Sequence, residues 1–407
     1  MSFKRHSALV VRAVVFSGMA ATTAAHARPL TLQEALASAE AQSLVLSAAR
    51  ASVVAAQARA RQAGAAPNPE LDVEVENVLG SGPYKGLGGT ELTAAIAQRF
   101  ELGGKRGMRR KLAAAEADVA ALNLLGARAD LLRDVRNAYA ELAAAEGRRL
   151  LARGAVDRSV ALARTARLLV EVGRDPPLRR LRAEAVLVEA QAGEQRALAE
   201  LTNAQRALAG LAVIPNEDIE AVPLEPNDLQ ATPANATTRL AVRIAEAERR
   251  VAEARIDLEE AQRVPDLTLR AGVRGFAEGR DVALVGGVSL PIPIRNRNTG
   301  AIDAARAELL AAEARLMQVR RDTNREERDA QTLLEAADAR LAALGGAGLS
   351  QAEEAVRLAR LGYAAGKFSL LEMLDAETAL NAARAALIDA ERDRSRAIAA
   401  LLRARQQ

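Results

Sequence analysis

The 407-residue chain has no cysteine and no tryptophan, and aromatic residues make up only 2% of it although half of its residues are hydrophobic. The lack of cysteine excludes a disulfide framework, a thiol nucleophile and a thiolate metal site. The lack of aromatics leaves a chain of this length short of the large side chains that fill the core of ordinary layered domains. What is present instead is Ala and Leu interleaved with Arg and Glu, the composition of long helices packed closely side by side. Beyond the first 27 residues no apolar run approaches the roughly 18–20 residues needed for a membrane-spanning helix.

Residues 1–27 read as a secretory leader. Lys4, Arg5 and His6 form a basic start, Ala13 to Ala25 an apolar run, and Ala25-His26-Ala27 a small-x-small cleavage site. Cleavage there removes both histidines, His6 and His26, and with them the usual general base, any Ser-His-Asp triad and any His-ligated metal. It also removes Lys4, Arg5 and Arg12, which takes the formal charge from +4 to +1. The remaining charges alternate in sign along the chain, as on solvated helix faces with i,i+4 pairs, so no nucleic-acid partner is expected. No catalytic constellation stands out, and neither a cofactor nor a metal site is expected.

Internal repetition sets the architecture. "RLLVEVGRDPPLRRLRAEAVLVEA" from Arg167 aligns with "RLGYAAGKFSLLEMLDAETALNAA" from Arg360, placing Gly173 on Gly366, Leu178 on Leu371, Leu181 on Leu374 and Glu184 on Glu377 at a constant offset of 193. Within each repeat the hydrophobic period switches between 3.6 and 2. The first repeat, 28–214, holds a helix from Leu32 to about Ala63 with Thr31 and Glu34 as a capping box, a β-hairpin at 69–102, a long helix at 104–172 and a return helix at 177–211. A proline-punctuated connector, 215–237, leads to the second repeat, 238–407, with a helix, a hairpin at 265–292, a long helix at 299–363 and a return helix at 369–405. At about 1.5 Å per residue the first long helix extends roughly 100 Å. Two shorter helices are expected end to end against each long one.

The strands alternate. Leu71, Val73 and Val75 face one way and Asp72, Glu74 and Glu76 the other, and in the second repeat Leu267, Leu269 and Val273 alternate with Arg270 and Arg274. Four such strands cannot stand alone in lipid, because an open sheet leaves edge N–H and C=O groups unsatisfied. Three copies give twelve strands, enough to close a barrel with apolar residues toward lipid and Asp72, Glu74, Glu76, Arg270 and Arg274 toward a wet lumen. The expected fold is therefore mainly α with a small transmembrane β part: a homotrimer carrying a 12-stranded β-barrel and a long α-helical barrel. A soluble antiparallel sheet covered by a helix is the competing arrangement. Only Tyr84, Phe100 and Phe276 lie near the strands, a sparse aromatic girdle for a membrane barrel.

This duplicated helix-hairpin-helix plan resembles the TolC-like outer-membrane efflux family across nearly all of the chain. "PNPELDVEVEN", "QRFELGGKRGMRRKLAAAEADV" and "LPIPIRNRNTGAIDAARAEL" are similar to its cobalt-zinc-cadmium resistance branch. The resemblance implies a passive exit duct in the outer membrane of a Gram-negative bacterium with a periplasmic extension. It implies docking to a periplasmic adaptor (a membrane fusion protein) and to an inner-membrane pump of the resistance-nodulation-division class. Exported cobalt, zinc or cadmium ions are the implied cargo, with drugs or other small molecules, or a soluble periplasmic scaffold or adaptor role, as alternatives. Without His or Cys, Met108, Met317 and Met373 and the carboxylates are a poor metal set, so choice of cargo falls to the pump. No cysteine is available for a lipid anchor, unlike acylated relatives.

"SLLEMLDAETAL" is similar to the family's tip segment in which two carboxylates constrict the periplasmic entrance, here Glu372 and Asp375. At the repeat offset their counterparts are Arg179 and Arg182, so opposite charges on the two hairpins are expected to hold the entrance shut, the competing view being that all four are solvated surface charges. Tyr363 resembles a family tyrosine that bonds across the closed entrance. Gly173 and Gly366 suit left-handed turn positions at the two tips, where the adaptor is expected to touch.

Overall fold

The computed structural model describes residues 28–214, 219–223 and 239–405; the expected leader and most of the connector lie outside the described residues. In chain order the elements are β1 (Arg28–Leu30), α1 (Leu32–Gln42), α2 (Leu44–Ala63), β2 (Glu70–Glu76), β3 (Glu91–Phe100), α3 (Lys105–Glu171), α4 (Pro177–Ala212), β4 (Ile219–Ala221), α5 (Leu240–Gln262), β5 (Leu267–Phe276), β6 (Val282–Ser289), α6 (Thr299–Ala343), α7 (Leu349–Ala364) and α8 (Leu370–Arg405). None of the described helices is long and apolar enough to cross a membrane.

The 67-residue α3 is the spine. Cross-helix ion pairs locate its neighbours: Lys111 with Asp257 of α5 near the sheet, Arg128 with Glu40 of α1 midway, Arg148 with Asp389 of α8, and Arg167 with Glu184 of α4 toward the tips. Alanine recurs where helices touch, as at Ala163, Ala166 and Ala183, all buried, because a methyl group lets backbones approach closely. The two repeats share this packing in detail. Arg167 bonds Glu184 at 3.1 Å, and 193 residues later Arg360 bonds Glu377 at 2.9 Å.

Two expected continuous helices are interrupted. The helix expected from Leu32 to Ala63 stops at Ser43, whose hydroxyl accepts the Leu46 N–H at 3.3 Å and starts α2 afresh. The Thr31–Glu34 capping box does open α1. The helix expected over 299–363 breaks at Leu344–Gly348, a π-type turn of sequence LGGAG in which Gly346 leaves helical geometry (φ −85°, ψ −111°). Glycine loses the most backbone freedom in a helix, and three glycines in five residues make this the weakest turn of the helix. The aligned stretch of α3 has only one glycine, Gly154, and runs straight through.

Four strands form one antiparallel sheet in the order β2-β3-β5-β6, so the hairpins of the two repeats lie edge to edge along the β3–β5 seam. The register sets Val73, Ala94, Val273 and Leu284 in one cross-strand row and Glu74, Thr93, Arg274 and Ala283 in the next. A second, two-stranded parallel sheet, β1 with β4, was not signalled by periodicity because each strand is three residues long.

Candidate functional site

The sheet is built inside out for a water-soluble protein. Leu71, Val73, Val75, Ile96, Val282, Leu284 and Val288 all lie exposed on one face, with Leu284 at 88%. On the opposite face Thr93 and Ala95 are only 2% and 1% exposed. They are covered because Arg270 and Arg274 of β5 lie across β3 to reach the carboxylates of β2. Arg274 donates from Nε to Thr93 Oγ1 (2.8 Å) and from Nη1 to Glu91 Oε2 (2.9 Å), while Nη2 lies 2.7 Å from Glu76 Oε2. Arg270 reaches Glu74 at 3.3 Å and Asp72 at 3.8 Å. Adjacent strands are about 4.8 Å apart, so these arginines span two intervals, and only small residues on β3 leave that lane open. The five charged residues expected on one face are therefore brought together as a paired layer. Glu91 and the small lane of Thr93, Ala95 and Ala97 belong to it as well; the period-2 pattern of β3 carried that signal.

At the far end of the helices the two turns come together. Gly173 and Gly366 adopt φ of +73° and +69°, a region open to glycine at no steric cost. Arg179 pairs with Asp175, four residues earlier at the first tip, and not with Glu372 or Asp375 of the same protomer. Glu372 opens α8: the Ser369 N–H donates to its Oε2 at 2.6 Å and its own N–H donates to Ser369 Oγ at 3.3 Å. That backbone N–H, aided by the Ser369 hydroxyl, holds the Glu372 carboxyl below its ordinary range. Arg182 and Asp375 are exposed. The opposite-charge contact expected across the hairpins is thus not made within one protomer, because nearer partners occupy Arg179 and Glu372. Tyr363 does lie close to the other tip. Burial first, and then the Asp175 carboxylate, push its hydroxyl above the usual phenol range, with Arg179 acting in the other direction. Tyr363 Oη and Asp175 Oδ2 are both buried with hydrogen-bonding capacity unused in the protomer. Asp175 was missed in the sequence, where it reads as a turn residue in GRDPP.

A family model of the outer membrane efflux protein matches residues 35–212 and 236–405, the two repeats. The chain belongs to the outer membrane efflux protein family. Among curated relatives it is 36% identical over 298 residues to the nickel-cobalt-cadmium resistance protein NccC of Alcaligenes xylosoxydans xylosoxydans, a match spanning 71% of this chain and 66% of NccC. It is 30% identical over 371 residues to the cobalt-zinc-cadmium resistance protein CzcC of Cupriavidus metallidurans, spanning 88% of this chain and 85% of CzcC. Among solved structures, the outer membrane protein VceC of Vibrio cholerae superposes with a TM-score of 0.75 at 23% identity, covering 92% of this chain and 96% of that one. This outer membrane efflux protein is accordingly a channel protein of the Gram-negative outer membrane and not an enzyme.

In this efflux protein the β1–β4 sheet is strapped to the middle of α3. The Tyr139 hydroxyl, on a side chain buried in the largest apolar cluster, shares its proton between the carbonyls of Leu30 (2.8 Å) and Val222 (2.7 Å). Gln205 donates to Ile219 O at 2.9 Å, and Glu146 Oε1 accepts the Ala221 N–H at 2.8 Å. Burial pushes the Glu146 carboxyl up to about 7, against the lowering effect of that N–H; Glu220 adds to the rise and Arg149 opposes it. Between about pH 4.5 and 7 the folded chain keeps a proton that the unfolded chain releases, so this group's contribution to stability falls as pH rises through that window. Glu146→Gln keeps an acceptor for Ala221 and removes the charge. Its melting temperature is expected to exceed that of the native protein by roughly 2 °C near pH 8 and to match it near pH 4.5, as read by circular dichroism; a difference that grows on acidification would contradict the assignment.

Proposed function

We propose that three copies of this chain form the exit duct of a tripartite heavy-metal efflux system. The observation that carries the reading is the inverted sheet, apolar on its exposed face and ion-paired on the other, with β2 and β6 left as open edges. In water such a sheet exposes its apolar face at a cost of about 25 cal/mol per Å²; in lipid the same face is satisfied. Pairing β6 of one protomer with β2 of the next closes twelve strands, and places Asp72, Glu74, Glu76, Arg270 and Arg274 around a wet bore. The helices continue that bore into the periplasm as an α-helical barrel. A periplasmic adaptor meets the tips around Gly173 and Gly366 and links them to an inner-membrane pump of the resistance-nodulation-division class. Kinship with NccC and CzcC supports nickel, cobalt, zinc or cadmium ions as the cargo; the duct itself supplies no chemistry and needs no cofactor.

The tips are the gate of the duct. Tyr363 of the second hairpin lies beside the Asp175–Arg179 pair of the first, and Arg182 and Asp375, left exposed there, are free to pair between protomers. Asp375→Lys is expected to raise the closed-state conductance of the purified protein in a planar bilayer several-fold, and Arg182→Glu in the same chain to restore it. Unchanged conductance in Asp375→Lys would remove that pair from the gate. The duct as a whole is tested by deleting the gene beside its own pump and adaptor: cobalt, zinc or cadmium tolerance should fall and return on re-expression, and a deletion that leaves tolerance intact but sensitises the cell to drugs would reassign the cargo.

A further inference from the structure

The even mixing of charge along the chain gives way where the first hairpin joins its helices. From Leu102 to Ala115 there are five cations, Lys105, Arg106, Arg109, Arg110 and Lys111, and no carboxylate; α2 likewise carries Arg50, Arg59 and Arg61 and no acidic residue. These segments meet where the helices join the sheet. There Arg61, Arg106, Arg110 and Lys111 line one open cleft of about 720 Å³ with Gly64, Ala65 and Gly107.

Gly64 organises the cleft. Its carbonyl accepts Arg106 Nε, and its bare Cα lies under the Arg110 stem, since an added Cβ would sit 3.1 Å from Arg110 Cδ. Among the described residues Arg61, Arg106 and Arg110 have no carboxylate partner, whereas Lys105, Arg109 and Lys111 pair with Asp266, Glu101 and Asp257. Three guanidinium groups are thus left unneutralised around one opening.

The cleft lies next to the sheet. Phe100, at the end of β3 in the alternation of Ile96, is exposed on the side of the apolar band, Leu102 beyond it is exposed as well, and Glu101 between them is held by Arg109. With a step of 100° per residue, Arg106 and Arg110 lie about 60° and 100° from Arg109 on α3, and Gly107, Lys111 and Ala114 continue the same side of the helix away from it. Arg61 precedes β2 by nine residues, and Arg106 and Arg110 follow β3 by six and ten, so the unpaired cations lie just below the sheet that carries the band of Leu71, Val73 and Ile96, at the depth where lipid phosphates lie if the band is in the membrane. A second cleft at the same junction, on the other repeat, has the same character: Arg263, Arg295 and Arg297 around exposed Ile292 and Ile294.

We propose that the Arg61–Arg106–Arg110 cleft binds the phosphate of an anionic phospholipid in the periplasmic leaflet of the outer membrane, fixing the depth and tilt of the duct. Guanidinium groups match phosphate oxygens in bidentate geometry, and the neighbouring apolar band receives the acyl chains. The proposal rests on the strands being in the membrane, and its test keeps the two apart. Native protein and Arg61→Gln/Arg110→Gln are purified in neutral detergent, incubated with equal phosphatidylglycerol and phosphatidylcholine, and examined by native mass spectrometry; both are also floated with phosphatidylethanolamine vesicles. Native protein is expected to retain phosphatidylglycerol at least fivefold over phosphatidylcholine, and the double variant to lose that preference while still floating with the vesicles. Equal preference in the two proteins would overturn the site. Displacement of phosphatidylglycerol by millimolar inorganic phosphate alone would reassign it to the free anion and overturn the lipid. Failure of the native protein to float would instead strike the membrane placement itself.

Discussion

Replacing Gly272 with valine is expected to abolish the proposed trimer and all channel conductance. Gly272 of β5 sits opposite Ala95 of β3, on the face crossed by the two arginines. A Cβ there would overlap Ala94 O and lie 2.5 Å from Ala95 Cα. Both are backbone atoms, so no rotamer change relieves the overlap and the strands have to part. Overpacking costs about 1–3 kcal/mol even where side chains can yield; here the seam between the two repeats opens, and in the proposed trimer it opens three times. Parting β3 from β5 also carries Arg274 away from Thr93, Glu91 and Glu76. The comparison is Gly286→Ala on β6, whose new Cβ would come no closer than 3.8 Å, to Arg270 O. Gel mobility with and without heating reads both: loss of the oligomer in Gly272→Val and its persistence in Gly286→Ala are expected, and an intact Gly272→Val trimer would mean that the seam is not closed as described.

Period and repetition carried the larger elements. The offset of 193 that aligned Gly173 with Gly366 also relates the Arg167–Glu184 and Arg360–Glu377 ion pairs, so duplication legible in letters is duplication of contacts. Alternation placed Asp72, Glu74, Glu76, Arg270 and Arg274 on one face because a pleated strand has a period of two wherever it lies. What stayed hidden depends on pairing across the chain. Arg270 and Arg274 reach β2 only because β3 intervenes with Thr93, Ala95 and Ala97, and strand order is not a local property. Interruptions at Ser43 and LGGAG were passed over because the hydrophobic period continues on either side of them; the local chemistry of a serine cap and of clustered glycines overrode it. At the tips, likeness to a family segment singled out Glu372, but the hydrogen bonds of Ser369 enlist it as a helix cap, and Arg179 takes the carboxylate four residues away. Short-range partners win such contests because they cost little chain entropy.

Leu284→Arg should sharply reduce the amount of trimer in the outer membrane, whereas Ala283→Glu, one residue away, should assemble normally. The two side chains leave β6 on opposite faces. Leu284 is in the row of Val73, Ala94 and Val273, and Ala283 stands beside Arg274. For a sheet in water the expectation is reversed: Leu284 is 88% exposed, and a charge at such a site changes stability by only about 0.5 kcal/mol or less. In lipid an outward arginine near the middle of the band costs about 2–4 kcal/mol, roughly 6–12 kcal/mol over the three protomers of the proposed trimer, more than most assemblies can lose. The carboxylate introduced by Ala283→Glu instead gains Arg274 as a neighbour on the charged face, which in the proposed barrel is the wet one. Quantifying the trimer in isolated outer membranes and the conductance of what is recovered separates the cases. Loss for Leu284→Arg with retention for Ala283→Glu fits lipid outside and water inside, and equal tolerance of both would mean that the apolar face meets water after all.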